Sequence, residues 1–213
     1  MRKIVMGVLG LVMTIAVTTG AAFALFSDTA TITGVTVNAG NAHLQVADFF
    51  TYNGGLGFTD TINYPSVFTP NVFPGYHAGS LTPVDAYDLY LKNNSTSAIS
   101  LAPSMQLTTL PAGWGNNLTY AFQILVQDSV SMTDTGWKSL PQWQSGSVAL
   151  PGTAIPQNAD RKYYVYIRVP FNYGDNEAGT YVGGPAQGTV VGNEIQNESL
   201  SNGGFTITGT QTP

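Results

Sequence analysis

The 213 residues are enough for one sizeable core, and 24 Gly and 12 Pro among many Thr, Ser and Asn favour strands and turns over long helices. Charged residues make up 9% of the chain against about 25% in an average soluble domain, and the formal net charge of −5 argues against nucleic acid or an anionic membrane as partner. The absence of cysteine excludes disulfides, thiolate catalysis and cysteine-ligated metals.

Met1-Arg2-Lys3 is a basic head, and residues 4–24 are an uncharged apolar run ending in Ala22-Phe23-Ala24. This is the pattern of a secretory signal helix, residues 1–24, cut between Ala24 and Leu25. The run is also long enough to span a bilayer, so a retained anchor is the competing reading. Cleavage would remove Arg2 and Lys3, two of the seven basic residues, and bring the net charge to −7. The membrane would then be met only by the precursor.

Residues 25–40 form an N-terminal strand segment, and residues 41–213 the main domain. Within the first, residues 29–37 are rich in β-branched side chains. Ala30 and Ile32 share one face of an extended chain and Val35 and Val37 the other, so a bulge or bend at Gly34 would be needed to bring them together. Asn38-Ala39-Gly40-Asn41 is a turn. Residues 43–50 read as the next strand, Leu44, Val46 and Asp48 alternating with Gln45, Ala47 and Phe49.

From 51 to 80 the chain is dense in Gly, Pro, Asn and aromatics, including Tyr52, Phe58, Tyr64, Phe68, Phe73 and Tyr76. It reads as a long ordered connection with one short strand at 59–63, because aromatics at this density are normally buried. Strands follow at 87–92, with Tyr87, Leu89 and Leu91 on one face, and at 98–108, separated by the tight loop Asn93-Asn94-Ser95-Thr96. Residues 120–127 and 148–150 are further β-prone runs. The clearest strand is 162–169, with Tyr163, Val165, Ile167 and Val169 opposite Tyr164, Tyr166 and Arg168. Two more are expected at 189–195 and 204–210. No helix longer than a turn or two is convincing, and no internal repeat appears. The expected fold is all-β: eight or so strands in a two-sheet jelly-roll sandwich, preceded by the signal helix.

The signal ending Phe23-Ala24-Leu25-Phe26-Ser27-Asp28, followed by Asn38-Ala39-Gly40-Asn41-Ala42-His43-Leu44, resembles the TasA and camelysin family of secreted fibre-forming proteins, with related archaeal bundling pilins. Pro74-Gly75, then Asp88-Leu89-Tyr90-Leu91-Lys92-Asn93-Asn94-Ser95, resembles the family's proline-glycine turn and the strand after it. Ala186-Gln187-Gly188 and Phe205-Thr206-Ile207-Thr208-Gly209-Thr210-Gln211 are similar to its final strand pair. The sequence departs from the pattern at Leu25, which precedes the phenylalanine, and at Tyr76, which replaces an acidic residue and so removes a metal or capping role there. The resemblance implies a jelly-roll subunit of an extracellular or cell-surface fibre, released by a dedicated signal peptidase and partnered by its own copies.

On that implication Thr29, Ala30, Ile32, Val35 and Val37 are the candidate donor strand, an uncharged segment able to add to a neighbour's sheet. Pairing within its own domain is the competing reading. Enzymatic chemistry finds little: His43 and His77 are 34 positions apart with no His-Glu-x-x-His helix, which leaves a camelysin-type metalloprotease poorly supported. No cofactor motif occurs. Asp175 and Glu177 are the calcium candidates, against a solvated turn. Asp85 and Asp88 flank a strand entrance. Trp114, Trp137 and Trp143 with Tyr52 and Tyr64 could instead stack on matrix polysaccharide, making the protein a secreted carbohydrate-binding sandwich or adhesin; core packing is the plainer explanation. Asn93, Asn94, Asn117 and Asn197 stand in Asn-x-Ser/Thr sequons, which matter only where the host glycosylates exported proteins; four matches are near chance in so Asn- and Thr-rich a chain.

Overall fold

The computed structural model describes residues 27–31, 42–48, 52, 57–61, 87–110, 116–181, 183–192, 195 and 204–212. The signal, the Ala24/Leu25 junction, donor positions Ile32, Val35 and Val37, most of the aromatic connection, His77, Asp85, Trp114 and Asn197 lie outside them.

Among the described residues there are nine strands: β1 Ser27–Thr31, β2 Leu44–Asp48, β3 Tyr87–Asn93, β4 Ser100–Thr109, β5 Gln123–Asp128, β6 Lys138–Ser139, β7 Val148–Ala149, β8 Asp160–Arg168 and β9 Gly204–Thr212. Two short helices interrupt them, α1 Asn116–Ala121 and α2 Leu140–Gln144. The strands form a four-stranded sheet, β1-β9-β4-β7, and a five-stranded sheet, β2-β3-β8-β5-β6. All these pairings are antiparallel. The fold is therefore an all-β, two-sheet arrangement, as the turn-rich composition and short alternating runs imply. No helix among the described residues is long and apolar enough to cross a membrane.

The core lies between the sheets. β4 alternates strictly, with Leu101, Pro103, Met105 and Leu107 buried, and β9 sends Phe205 and Ile207 to the same layer. Leu44, Val46, Leu89, Leu91, Ile124, Val126, Tyr163, Val165 and Ile167 from the other sheet belong to the same cluster. Each fully buried aliphatic side chain contributes about 1.5–3 kcal/mol, so the alternation sets the register of both layers. Gly209 allows the sheets to approach: a Cβ there would lie 3.1 Å from Leu101 Cδ1 and 3.4 Å from Leu44 Cβ. Pro103 explains why β7 is short. Its carbonyl accepts from Leu150 N at 2.9 Å, so the N–H that proline lacks is missing on the β7 side of the ladder.

α2 carries Trp143 into one end of the core. Pro141 occupies its first turn, where a missing N–H costs nothing, and Ser139 N donates to Gln142 Oε1 at 3.2 Å. The indole Nε1 donates to the Ile124 carbonyl at 3.2 Å, and the ring meets Phe205 edge-on with centroids 6.0 Å apart.

Several boundaries differ from the sequence expectation. Tyr120 and Ala121 end α1 rather than beginning a strand, and β5 starts at Gln123; a short apolar run has no period of its own, and packing chose the helix. Where a strand is expected at 189–195, the described residues show one bridge, Asn172 to Val190, with Gly188 in the left-handed region at φ +82° turning the chain just before it. Of the strand expected at 59–63, residues 59–61 are described: Thr59 bridges to Val46 and Thr61 is a second bridge residue. The alternation on β8 holds, yet Tyr166 on its outer face is as buried as Tyr163 on its inner one.

Candidate functional site

β1 is the outermost strand of the four-stranded sheet. Its five residues pair with β9 in the register Ser27 to Thr210, Asp28 to Gly209, Thr29 to Thr208, Ala30 to Ile207 and Thr31 to Thr206. Within one chain, then, the N-terminal strand has a partner. This five-residue ladder joins β1 to β9 through the backbone, with hydrogen bonds worth about 1 kcal/mol each net. On the opposite flank β9 runs against β4 from Ser100 to Thr109, with Leu101, Met105 and Leu107 anchored in the core.

β2, the outermost strand of the other sheet, is closed differently. Residues 57–61 lie along it: Val46 N donates to Thr59 O at 2.8 Å and Thr59 N to Val46 O at 3.0 Å. Side chains reinforce the contact. His43 Nε2 lies 2.7 Å from Asp60 Oδ1, and Gln45 Nε2 donates to the same oxygen at 3.3 Å. The His43 hydrogen bond holds the Asp60 carboxyl below the usual range, with burial opposing and Gln45 adding to the effect.

The calcium candidates have other partners. Glu177 Oε1 accepts from Ser139 Oγ at 2.6 Å and Oε2 from Gln123 Nε2 at 3.4 Å. Asp175 Oδ2 accepts from Asn172 at 3.0 Å, and its carbonyl accepts from Arg168 Nη2 at 2.7 Å. Arg168 Nε also donates to Gln123 at 2.7 Å, and the guanidinium stacks 4.2 Å from the Trp137 ring centroid. Burial pulls Arg168 down to about 10 against the charges of Asp175 and Glu177, and it pushes Glu177 up. The group clamps the chain after β8 onto the sheet. Among the described residues no set of three His, Cys, Asp or Glu side chains is placed to hold a metal ion.

Of the aromatics suggested as a sugar platform, Trp114 and Tyr64 lie outside the described residues, and the other three have separate neighbours. Trp143 is in the core, Trp137 lies under Arg168, and Tyr52 stacks on Tyr90 at 4.1 Å and 3° on the outer face of the five-stranded sheet. Phe58 meets Tyr52 edge-on at 5.6 Å, and Lys162 sits 4.8 Å over Tyr164 while its Nζ lies 2.8 Å from Asp88. Sequence reasoning missed this cation-aromatic cluster and the polar group around Arg168. Gln123 and Gln127 within the apolar run of β5 are the one signal that could have indicated buried polar partners.

Compared with models of known protein families, with characterised proteins and with solved structures, the chain matches none.

Proposed function

We propose that this chain is a secreted structural subunit of an extracellular filament, a jelly-roll sandwich that polymerises by passing its N-terminal strand to the sheet of a neighbouring copy. The observation that carries this reading is the place of β1: among the described residues it is an edge strand, joined to its sheet by a five-residue ladder on β9.

Strand exchange replaces each β1–β9 hydrogen bond by the same bond between two copies, so the exchanged and self-docked forms differ little in the ladder itself. The balance falls to what lies beyond it. Ile32, Val35 and Val37 would each contribute about 1.5–3 kcal/mol if buried on the acceptor, and strand addition of this kind draws strength from the backbone and register from alternate side chains. Head-to-tail exchange does not close on itself, so it makes filaments. The low charge of the chain supports the reading, since copies repel one another weakly.

The experiment is to purify the chain beginning at Leu25 and to follow light scattering and negative-stain images as concentration rises. Filaments are expected, and a variant lacking residues 25–37 should remain unpolymerised. Filaments from the deletion variant would overturn the reading.

A further inference from the structure

The sequons at Asn93 and Asn94 overlap, and the fold separates them. Asn93 is fully buried. Its Nδ2 donates to the carbonyls of Ile99 at 2.9 Å and Ile155 at 2.8 Å, and its Oδ1 accepts from Ser95 N at 3.1 Å and Ser95 Oγ at 2.5 Å. The serine hydroxyl that completes the Asn93 sequon is therefore itself buried and bonded to Asn93. Asn117 lies in α1, where residues two apart point to different sides; Asn117 is exposed but Thr119, which completes its sequon, is buried.

Asn94-Ser95-Thr96 differs. Asn94 and Thr96 are both exposed in the loop between β3 and β4, while Asn94 N donates to the His43 carbonyl at 2.7 Å and fixes the main chain beneath them. Of the three described sequons, it alone presents both the amide and the hydroxyl residue on the surface of the folded chain.

We propose that Asn94 carries an N-linked glycan added to the folded chain after export. The donor class is an oligosaccharide on a polyprenyl pyrophosphate. Asn94 Nδ2 forms a bond to the sugar C1, the C1–O bond to the lipid pyrophosphate breaks, and the pyrophosphate leaves with the electron pair. The amide proton passes to a carboxylate of the transferase. The sugar is hydrophilic and bulky and belongs on such an exposed loop. The inference rests on the export step of the function proposed above, and not on strand exchange.

The test is mass spectrometry of the full chain recovered from the surface or medium of its native host, with fragmentation to locate the modification. A mass increment equal to a whole number of sugar residues is expected on Asn94, with Asn93 and Asn117 unmodified. Thr96→Ala should abolish the increment although it leaves the Asn93 sequon intact, and Asn94→Gln should do the same. An exported chain with unmodified Asn94, or a glycan that survives Thr96→Ala, overturns the inference while leaving the filament reading standing. A chain retained inside the cell overturns both.

Discussion

β1 and β2 each end a sheet, and the two edges are held by different means. β2 has a neighbour on either flank, β3 on one and residues 57–61 on the other, and the second is tied down by two backbone hydrogen bonds and by Asp60 bound to His43 and Gln45. β1, among the described residues, has a strand on one flank only and is made of small, mostly polar residues. An open edge invites another chain, and proteins commonly cover or charge such edges. The contrast teaches that one edge of this sandwich is covered by a further segment tied down through side chains and backbone, whereas the other, among the described residues, ends in a backbone ladder that any identical strand can reproduce.

The most severe way to break the contrast is to lock β1 in place. Thr29 and Thr208 are directly paired in register, and directly opposite residues bring Cβ atoms close enough for a disulfide with small adjustment. The chain has no cysteine of its own, so Thr29→Cys with Thr208→Cys gives a single bridge. Oxidised as a monomer, this variant should lose polymerisation completely and regain it with reductant. Oxidised after assembly, it should run as a covalent ladder of chains on a denaturing gel. Polymers formed by the pre-oxidised monomer, or only intrachain bridges in the polymer, would refute strand exchange.

A smaller effect is expected from Gly209, which pairs with Asp28 on one flank and Pro103 on the other. Gly209→Val would force atoms into Leu101 and Leu44, from which even a Cβ stands only 3.1–3.4 Å away. Overpacking of this kind costs about 1–3 kcal/mol, readable as a lower denaturation midpoint. A midpoint equal to that of the parent chain would mean that the sheets separate there without cost.

The smallest effect belongs to the sealed edge. The Asp60 carboxyl is held below its ordinary range in the folded chain, so its contribution is present above the unfolded carboxylate pKa and is lost as pH falls through the lower folded value. With both partners partly solvated, screening limits the pair to about 0.5 kcal/mol. Asp60→Asn should therefore lower stability slightly at pH 6 and leave it unchanged at the acid end of the titration. A loss that persists at low pH would assign the effect to packing rather than charge.

Much of the sandwich follows from local pattern. The alternation of Tyr163, Val165 and Ile167 on β8, and of Phe205 and Ile207 on β9, marks two half-buried strands wherever they dock, because side chains two apart must share a face. Turn residues fix where β3 ends and β4 begins. What the pattern cannot carry is partnership. That β1 lies on β9, some 180 residues later in the chain by the Thr29 to Thr208 pairing, that Tyr166 is buried on an outer face with its hydroxyl donating to Gln127 at 3.3 Å, and that Asn93 is buried while Asn94 is exposed, were all decided in three dimensions. Asp175 and Glu177, two positions apart, pair with different groups for the same reason. Period and propensity act within a few residues, whereas strand pairing and the satisfaction of buried polar groups are settled by the whole set of surfaces competing for burial.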